Sequence, residues 1–340
     1  MSFEHLHAGH CESGVTAALL RHRGLALSEP MLFGIGSGIF FAHFSFSRVM
    51  GQPLTTFRSF PGAIFKKACK RLGVGIERAT FRDRRAGASA LDAALVKGTP
   101  VGLQVNIYWL PYIPGPMRVH FNGHNLIVLE KTGDTYLISD PVMEEVHECP
   151  ESALVRARFS GTNALLGSGL MYYPTHIDPE PDLRRATEQG LAEVCTRMRR
   201  IPFILPWFGV RGVRHLAGQL EAWPRRLGEE DAREWLAGLV RMQEEIGTGG
   251  AGFRYLFAAF LQEAGELLSW SALSAMSDQA TDLGDQWRRF ALHASRRARG
   301  KPDKEWSELA ELLLALAEAE DRLFADLDAV RVAGAPQLTG

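Results

Sequence analysis

Residues 123–141 read GHNLIVLEKTGDTYLISDP. Two apolar runs, LIVL and TYLIS, flank Thr132-Gly133-Asp134, a trio that suits a tight turn. The pattern predicts a hairpin with strands over 124–131 and 135–139. In an antiparallel pair the start of one strand lies beside the end of the next. His124 opens the first strand and Asp140 closes the second, so local geometry alone brings them together. A carboxylate in that place orients an imidazole and stabilises its charged form. A satisfied strand histidine and an ordinary turn aspartate before Pro141 would leave the same trace, so the pair gains meaning only with a nucleophile.

Cys11 supplies one. It stands where a helical pattern begins, with ESGVTAALLRH over 12–22 after it. The positive end of a helix favours the thiolate, the form in which cysteine attacks. The other thiols offer less. Cys69 falls on the apolar face of a helix, and Cys149 and Cys195 have no visible catalytic partner. The expected triad is Cys11 as nucleophile, His124 as base and Asp140 as orienter.

Around these residues the first half of the chain mixes helix and strand. Further helices are expected over 61–72 and 90–97, and further strands over 39–46, 74–80 and 101–108. PTHIDPEPD at 174–182 has three prolines and no period, which suits a linker. Beyond it, residues 183–200, 213–226, 229–246, 253–276, 281–299 and 303–329 carry apolar residues at helical spacing. We therefore expect domains over 1–177 and 183–330, a linker over 178–182 and a tail over 331–340.

Composition narrows the function classes. Of 340 residues, 46% are hydrophobic and 23% charged, which allows a substantial core. A net charge of −1 and the lack of a long basic run argue against a nucleic-acid partner. No apolar stretch approaches a membrane span, and the opening MSFEHLHAGHCESG lacks the pattern of a signal peptide. Four scattered cysteines are no disulfide framework, so the expectation is a cytoplasmic protein without a membrane partner.

The order Cys, His, Asp, with the nucleophile heading a helix and its partners in a later sheet, resembles the papain-like clan. The local sequence resembles something narrower. GHCESGVTAALLRHRGLALSEPMLFGIGSGIFF, HFNGHNLIVLE and YLISDP are similar to the N-terminal domain of the butirosin-biosynthesis H protein family (BtrH). EEIGTGGAGFRYLFAAFLQEAGE resembles the C-terminal domain fused to it. The fold class implied is an α+β papain-like cysteine-enzyme domain followed by an all-α helical domain. The function implied is an acyltransferase of specialised metabolism. Its acyl group arrives as a carrier-protein thioester, passes through a Cys11 acyl-enzyme, and leaves on an amine or hydroxyl of a small-molecule acceptor. The partners are then an acyl carrier protein and that acceptor, with a homodimer left open. No cofactor is expected beyond the carrier's phosphopantetheine. A hydrolase with the same triad (peptidase, amidase or thioesterase) is the first rival, and a non-catalytic binding protein of the same fold the second.

One feature of papain-like enzymes is missing. They often carry a glutamine six residues before the cysteine as oxyanion donor, and here that position is His5. The resemblance leaves the Cys11 backbone N–H and a side chain from His5, His7 or His10 as candidates. Read as H-x-H-x-x-H-C, the same residues have metal-ligand types, but no second ligand segment is visible, and no metal is expected.

Five further residues are substrate-binding candidates. Gly36 and Ser37 lie in a glycine-rich turn that could admit substrate to the backbone. Arg254 and Tyr255 follow Gly247-Thr248-Gly249-Gly250, a helix start suited to an anion, although Arg254 equally suits a structural ion pair. Trp207, in the proline-broken IPFILPWFGV, suits an acyl pocket, a dimer contact or a domain seal. The cations Arg288, Arg289, Arg296, Arg297, Arg299 and Lys301 form a candidate docking face for an acidic carrier, or simply complement a helix end.

Overall fold

The computed structural model describes residues 3–49, 51–160, 169–201, 205–246 and 249–334. They divide into two compact units: residues 1–32 with 64–182, and residues 33–63 with 183–340. Residues 202–204, the expected turn residues Gly247 and Thr248, and residues 335–340 of the expected tail lie outside the described residues.

The first unit is built on a six-stranded sheet. Its strands are β3 (Ile76–Thr80), β4 (Val101–Val105), β5 (His124–Thr132), β6 (Thr135–Ser139), β7 (His147–Pro150) and β8 (Leu170–Pro174). The spatial order is β3-β8-β4-β5-β6-β7, and every neighbouring pair is antiparallel. The expected hairpin is present: Thr132 pairs with Thr135, and Gly133 supplies the positive φ of 57° that the two-residue loop demands. One face of the sheet carries Leu103, Val105, Leu126 and Val128. They bury against Leu91 of α4 (Arg84–Val96) and Leu154 of α5 (Glu151–Phe159). α1 (Cys11–His22) packs on β5, β4 and β8, and a short helix, α2 (Glu29–Ile35), follows it in the chain. Alternation puts Gly102, Gln104, Asn125, Ile127 and Tyr172 on the face away from the Leu126 cluster.

α1 starts where its capping chemistry dictates. His10 is extended, and its Nδ1 accepts from the N–H of Ser13 at 3.3 Å. Gly14 lets the helix come close to the end of β6, since a Cβ there would stand 2.9 Å from the Pro141 side chain. The contact is locked by the Ala8 N–H, which donates to the Pro141 carbonyl at 2.7 Å. Glu12, fully buried, accepts from the N–H groups of Ile64 and Phe65 at 2.8 and 3.2 Å, at the start of α3 (Ala63–Arg71).

The second unit holds the expected helical segment together with residues from earlier in the chain. Residues 33–63 belong to it and bring an antiparallel hairpin, β1 (Ile39–Val49) with β2 (Gln52–Arg58). Alternation announced β1 as a strand, but alternation cannot say which unit a strand will join. The helices are α6 (Leu183–Arg199), α7 (Gly209–Leu227), α8 (Glu229–Glu244), α9 (Arg254–Leu268), α10 (Ala272–Ala298) and α11 (Trp306–Gly334). The helix expected over 253–276 is broken. Ser269 turns left-handed at φ 60°, α9 stops at Leu268, and α10 begins at Ala272. Neither glycine nor proline marks that stop, so the apolar period runs through it. The expected tail is also shorter, because α11 continues through residues 331–334. No helix among the described residues is long and apolar enough to cross a membrane.

Candidate active site

The structure brings Cys11, His124 and Asp140 together within the first unit. Cys11 is the first residue of α1, at the end of the helix that attracts negative charge. His124 is the first residue of β5, and Asp140 follows the last residue of β6. The Nε2 of His124 donates to Asp140 Oδ2 at 2.8 Å, and the Cys11 side chain is near enough to the imidazole to help raise its pKa. With Nε2 engaged by the carboxylate, Nδ1 is the nitrogen left for sulfur. Asp140 is fully buried and well held: Oδ2 also accepts from the Tyr112 hydroxyl at 2.9 Å, and Oδ1 from the Val142 N–H at 3.2 Å.

The electrostatics favour a charged imidazole. Burial alone would push the His124 pKa down. The charge and hydrogen bond of Asp140, joined by those of Cys11, outweigh it and hold the ring at about 10. Tyr112 is also raised, which for an acid favours the neutral form: burial first, then the Asp140 charge, pushes its hydroxyl well above the ordinary range. It therefore stays protonated and donates. The remaining thiols are set apart from this chemistry. Burial lifts Cys69, Cys149 and Cys195 each to about 12, which leaves them protonated and inert.

Of the three histidines expected near the oxyanion, His5 and His10 make hydrogen bonds to other groups. His5 Nδ1 meets Ser139 Oγ at 2.8 Å and His5 Nε2 donates to the Met143 carbonyl at 3.1 Å, so both ring nitrogens are engaged. His7 is exposed. His10 Nδ1 is committed to Ser13, through the capping bond and a 2.8 Å contact with its hydroxyl. Glu29 completes this arrangement by accepting from Gly9 N at 2.9 Å, His10 N at 2.8 Å and Ser13 Oγ at 3.0 Å. Its carboxyl is raised above the usual range by burial, against those hydrogen bonds.

Gly36, Ser37, Trp207, Arg254 and Tyr255 all belong to the second unit. Gly36 and Ser37 are buried. Ser37 sits at φ 52°, donates to the Gly190 carbonyl at 3.3 Å, and so forms a packed turn rather than an open loop. Arg254 does not face a ligand. It is buried, and its Nε donates to Glu320 Oε1 at 2.9 Å, an oxygen that also accepts from Trp287 Nε1 at 2.8 Å. Tyr255 donates to Asp285 at 2.6 Å, and Trp207 stacks edge-on with Phe46. The basic helix end is also partly spoken for. Arg288 pairs with Glu244, Arg296 with Asp303, and Arg297 with Glu229 and Glu305.

Two polar residues beside the site were not singled out from sequence. Tyr112 lies in the long connection between β4 and β5, where no pattern ties it to Asp140. Asn125 did leave a signal: it is a polar side chain inside a strand whose first five residues are all buried. A buried amide must find partners. Its Oδ1 accepts from the Tyr172 hydroxyl at 2.7 Å, and its Nδ2 donates to the Gly123 carbonyl at 3.1 Å and to Cys11 Sγ at 3.9 Å.

Comparison with known proteins finds family models that match both parts of the chain. Residues 10–141 match the sequence model for the N-terminal domain of butirosin biosynthesis protein H. Residues 152–327, just over half of the chain, match a domain of unknown function, DUF4872. No curated protein matches the chain. Among solved structures the chain is similar to a Bacillus anthracis protein described as a C39-like peptidase, at 15% identity and a TM-score of 0.35, over 52% of this chain and 96% of that one. The chain belongs to the butirosin biosynthesis protein H family, with DUF4872 as its C-terminal domain. In its first unit a cysteine heads a helix packed on an antiparallel sheet that carries the histidine and the aspartate.

Proposed function

We propose that this family member is an acyltransferase of specialised metabolism, with Cys11 as its acyl carrier and His124 and Asp140 as the other members of its triad. The observation that carries the reading is the buried grouping of Cys11 at the head of α1 with His124 and Asp140, in which His124 Nε2 donates to Asp140 at 2.8 Å. The Cys11 thiolate attacks the carbonyl carbon of a carrier-bound thioester, a new C–S bond forms, and the carbonyl electrons move to oxygen. Collapse of that oxyanion restores the carbonyl and expels the carrier thiolate, which takes a proton from the His124 imidazolium. A small-molecule amine or hydroxyl then attacks the acyl-enzyme, His124 receives its proton, and the Cys11 thiolate leaves. Asp140 holds the ring in place and stabilises its positive charge throughout. The kinship with a butirosin biosynthesis protein supports an acceptor of the aminoglycoside kind and a donor on an acyl carrier protein.

Intact mass after incubation with acyl-carrier thioesters tests the reading. We expect the mass of one acyl group on the wild type, none on Cys11→Ala, and discharge into an amide when an aminoglycoside amine is added. Absence of the adduct with every donor would end the acyl-enzyme proposal. Discharge by water at the same rate with and without amine would put a hydrolase in its place.

A further inference from the structure

The site holds a side-chain donor beside the thiol, on the strand that carries His124. Asn125 directs its Nδ2 at Cys11 Sγ from 3.9 Å. Which end of the amide faces the sulfur is fixed by its neighbours. The Gly123 carbonyl can only accept, so the atom 3.1 Å from it must be the nitrogen, and the opposite atom is the oxygen that accepts from Tyr172 at 2.7 Å. The amide thus has one N–H tied to Gly123 and the other directed at the thiol.

Tyr172 is held as firmly. Its ring packs on Phe65 with centroids 4.5 Å apart, and it occupies space that Gly102 leaves open on the neighbouring strand. A Cβ at Gly102 would come within 2.5 Å of the ring. β8, β4 and β5 lie side by side, so the tyrosine, the glycine and the asparagine are set by strand register rather than by a loop.

We propose that Asn125 Nδ2 is the side-chain donor of the oxyanion hole, acting with the Cys11 backbone N–H at the positive end of α1, and that Tyr172 is the positioning residue that aims it. This rests on the acyl-enzyme reading above. An oxyanion bonded through its carbon to Sγ lies to one side of the sulfur. A donor 3.9 Å from Sγ can reach it at the roughly 3 Å such donors require. In the resting enzyme the same N–H faces the thiolate. When the acyl carbonyl is attacked, the negative charge moves from sulfur to oxygen, and a fixed donor follows it with little reorganisation. The same amide serves both tetrahedral steps, since each places its oxyanion on a carbon bonded to Sγ.

The test separates oxyanion chemistry from thiolate reactivity. Iodoacetamide alkylates Cys11 by displacement at a saturated carbon and forms no oxyanion, whereas p-nitrophenyl acetate acylates it through one. Both rates are read by intact mass on the full chain, with Cys11→Ala as the blank. We expect Asn125→Ala to alkylate within about threefold of wild type and to acylate about 10²–10³-fold more slowly, the usual loss for one oxyanion donor. Tyr172→Phe keeps the ring and removes the hydroxyl. It should slow acylation about tenfold and spare alkylation, and it decides the matter if Asn125→Ala does not fold. Equal losses in both reactions would reduce Asn125 to a structural role, and wild-type acylation in the variants would overturn the proposal. A wild type that is alkylated but never acylated at Cys11 would instead overturn the acyl-enzyme reading itself.

Discussion

Replacing Asp140 by Asn keeps the shape of the residue and removes the charge that holds His124 as an imidazolium. Breaking one side of a buried charge pair costs about 3–5 kcal/mol. At about 1.36 kcal/mol per pKa unit, that is about 2–4 units on the imidazole. Taken from about 10, it brings His124 to about 6–8, where the ring is no longer reliably charged at neutral pH. The Cys11 thiolate then loses its counter-ion. A thiol at its ordinary pKa of about 8.5 holds only a few per cent thiolate at pH 7, so iodoacetamide should react with Cys11 about 30-fold more slowly in Asp140→Asn. The pH dependence carries the sharper signature. The wild-type rate should be nearly flat from about pH 6 to 9, whereas the variant's should climb with pH and meet it near pH 9. Stability follows the same proton. His124 is raised above its ordinary value, so its contribution is complete below about pH 6.5 and is lost as pH rises through about 10. A variant with the wild-type alkylation rate at pH 6–7 would show that Asp140 does not set the charge of His124.

Arg254→Ala should leave Cys11 alkylation unchanged and lower the stability of the second unit by about 3–5 kcal/mol, because it strands Glu320 in the core; urea unfolding checks this, and loss of alkylation at unchanged stability would contradict it. His43 makes the second unit acid-sensitive. Burial, then the charge of His215, pulls it down to about 4, and its Nε2 meets no acceptor. A histidine depressed in the folded state stabilises the fold above its unfolded pKa, so melting temperature should fall between about pH 6.5 and 4 and flatten below. In His43→Gln that slope should shrink, and an unchanged slope would place the acid sensitivity elsewhere.

The parts of this site that were legible in sequence are those set by short-range rules. A two-residue turn and two apolar runs fix which end of β5 meets which end of β6, so His124 and Asp140 pair on local rules alone. The start of α1 was legible for the same reason, since a helix end is a local event. Tyr112 and Tyr172 were not, because they reach their partners across 28 and 47 residues, and nothing periodic records such a contact. The hairpin of β1 and β2 shows a further limit. Its strand character was written in alternation, but its membership of the second unit depends on a partner surface that appears only after residue 183.

The N-terminal histidines show how a segment beside a nucleophile can serve alignment. Cys11 is useful only if the start of α1 is held in register with the end of β6, and nothing within α1 can do that. The segment ahead of it does. His5 bridges Ser139 and the Met143 carbonyl, on either side of Asp140 in sequence. Ala8 bonds the carbonyl of Pro141, the residue after Asp140. His10 and Glu29 fix the first turn that carries the thiol. Cys11 and Asp140 are thus tied through their backbones as well as through His124, and an imidazole can shuttle a proton reproducibly only between partners that stay in place. A histidine-rich run beside a nucleophile invites a chemical reading, but here His5 and the Nδ1 of His10 are engaged in alignment. The role left open by the missing glutamine falls instead to a side chain from the opposite end of the triad's sequence span, on the strand that already carries the base.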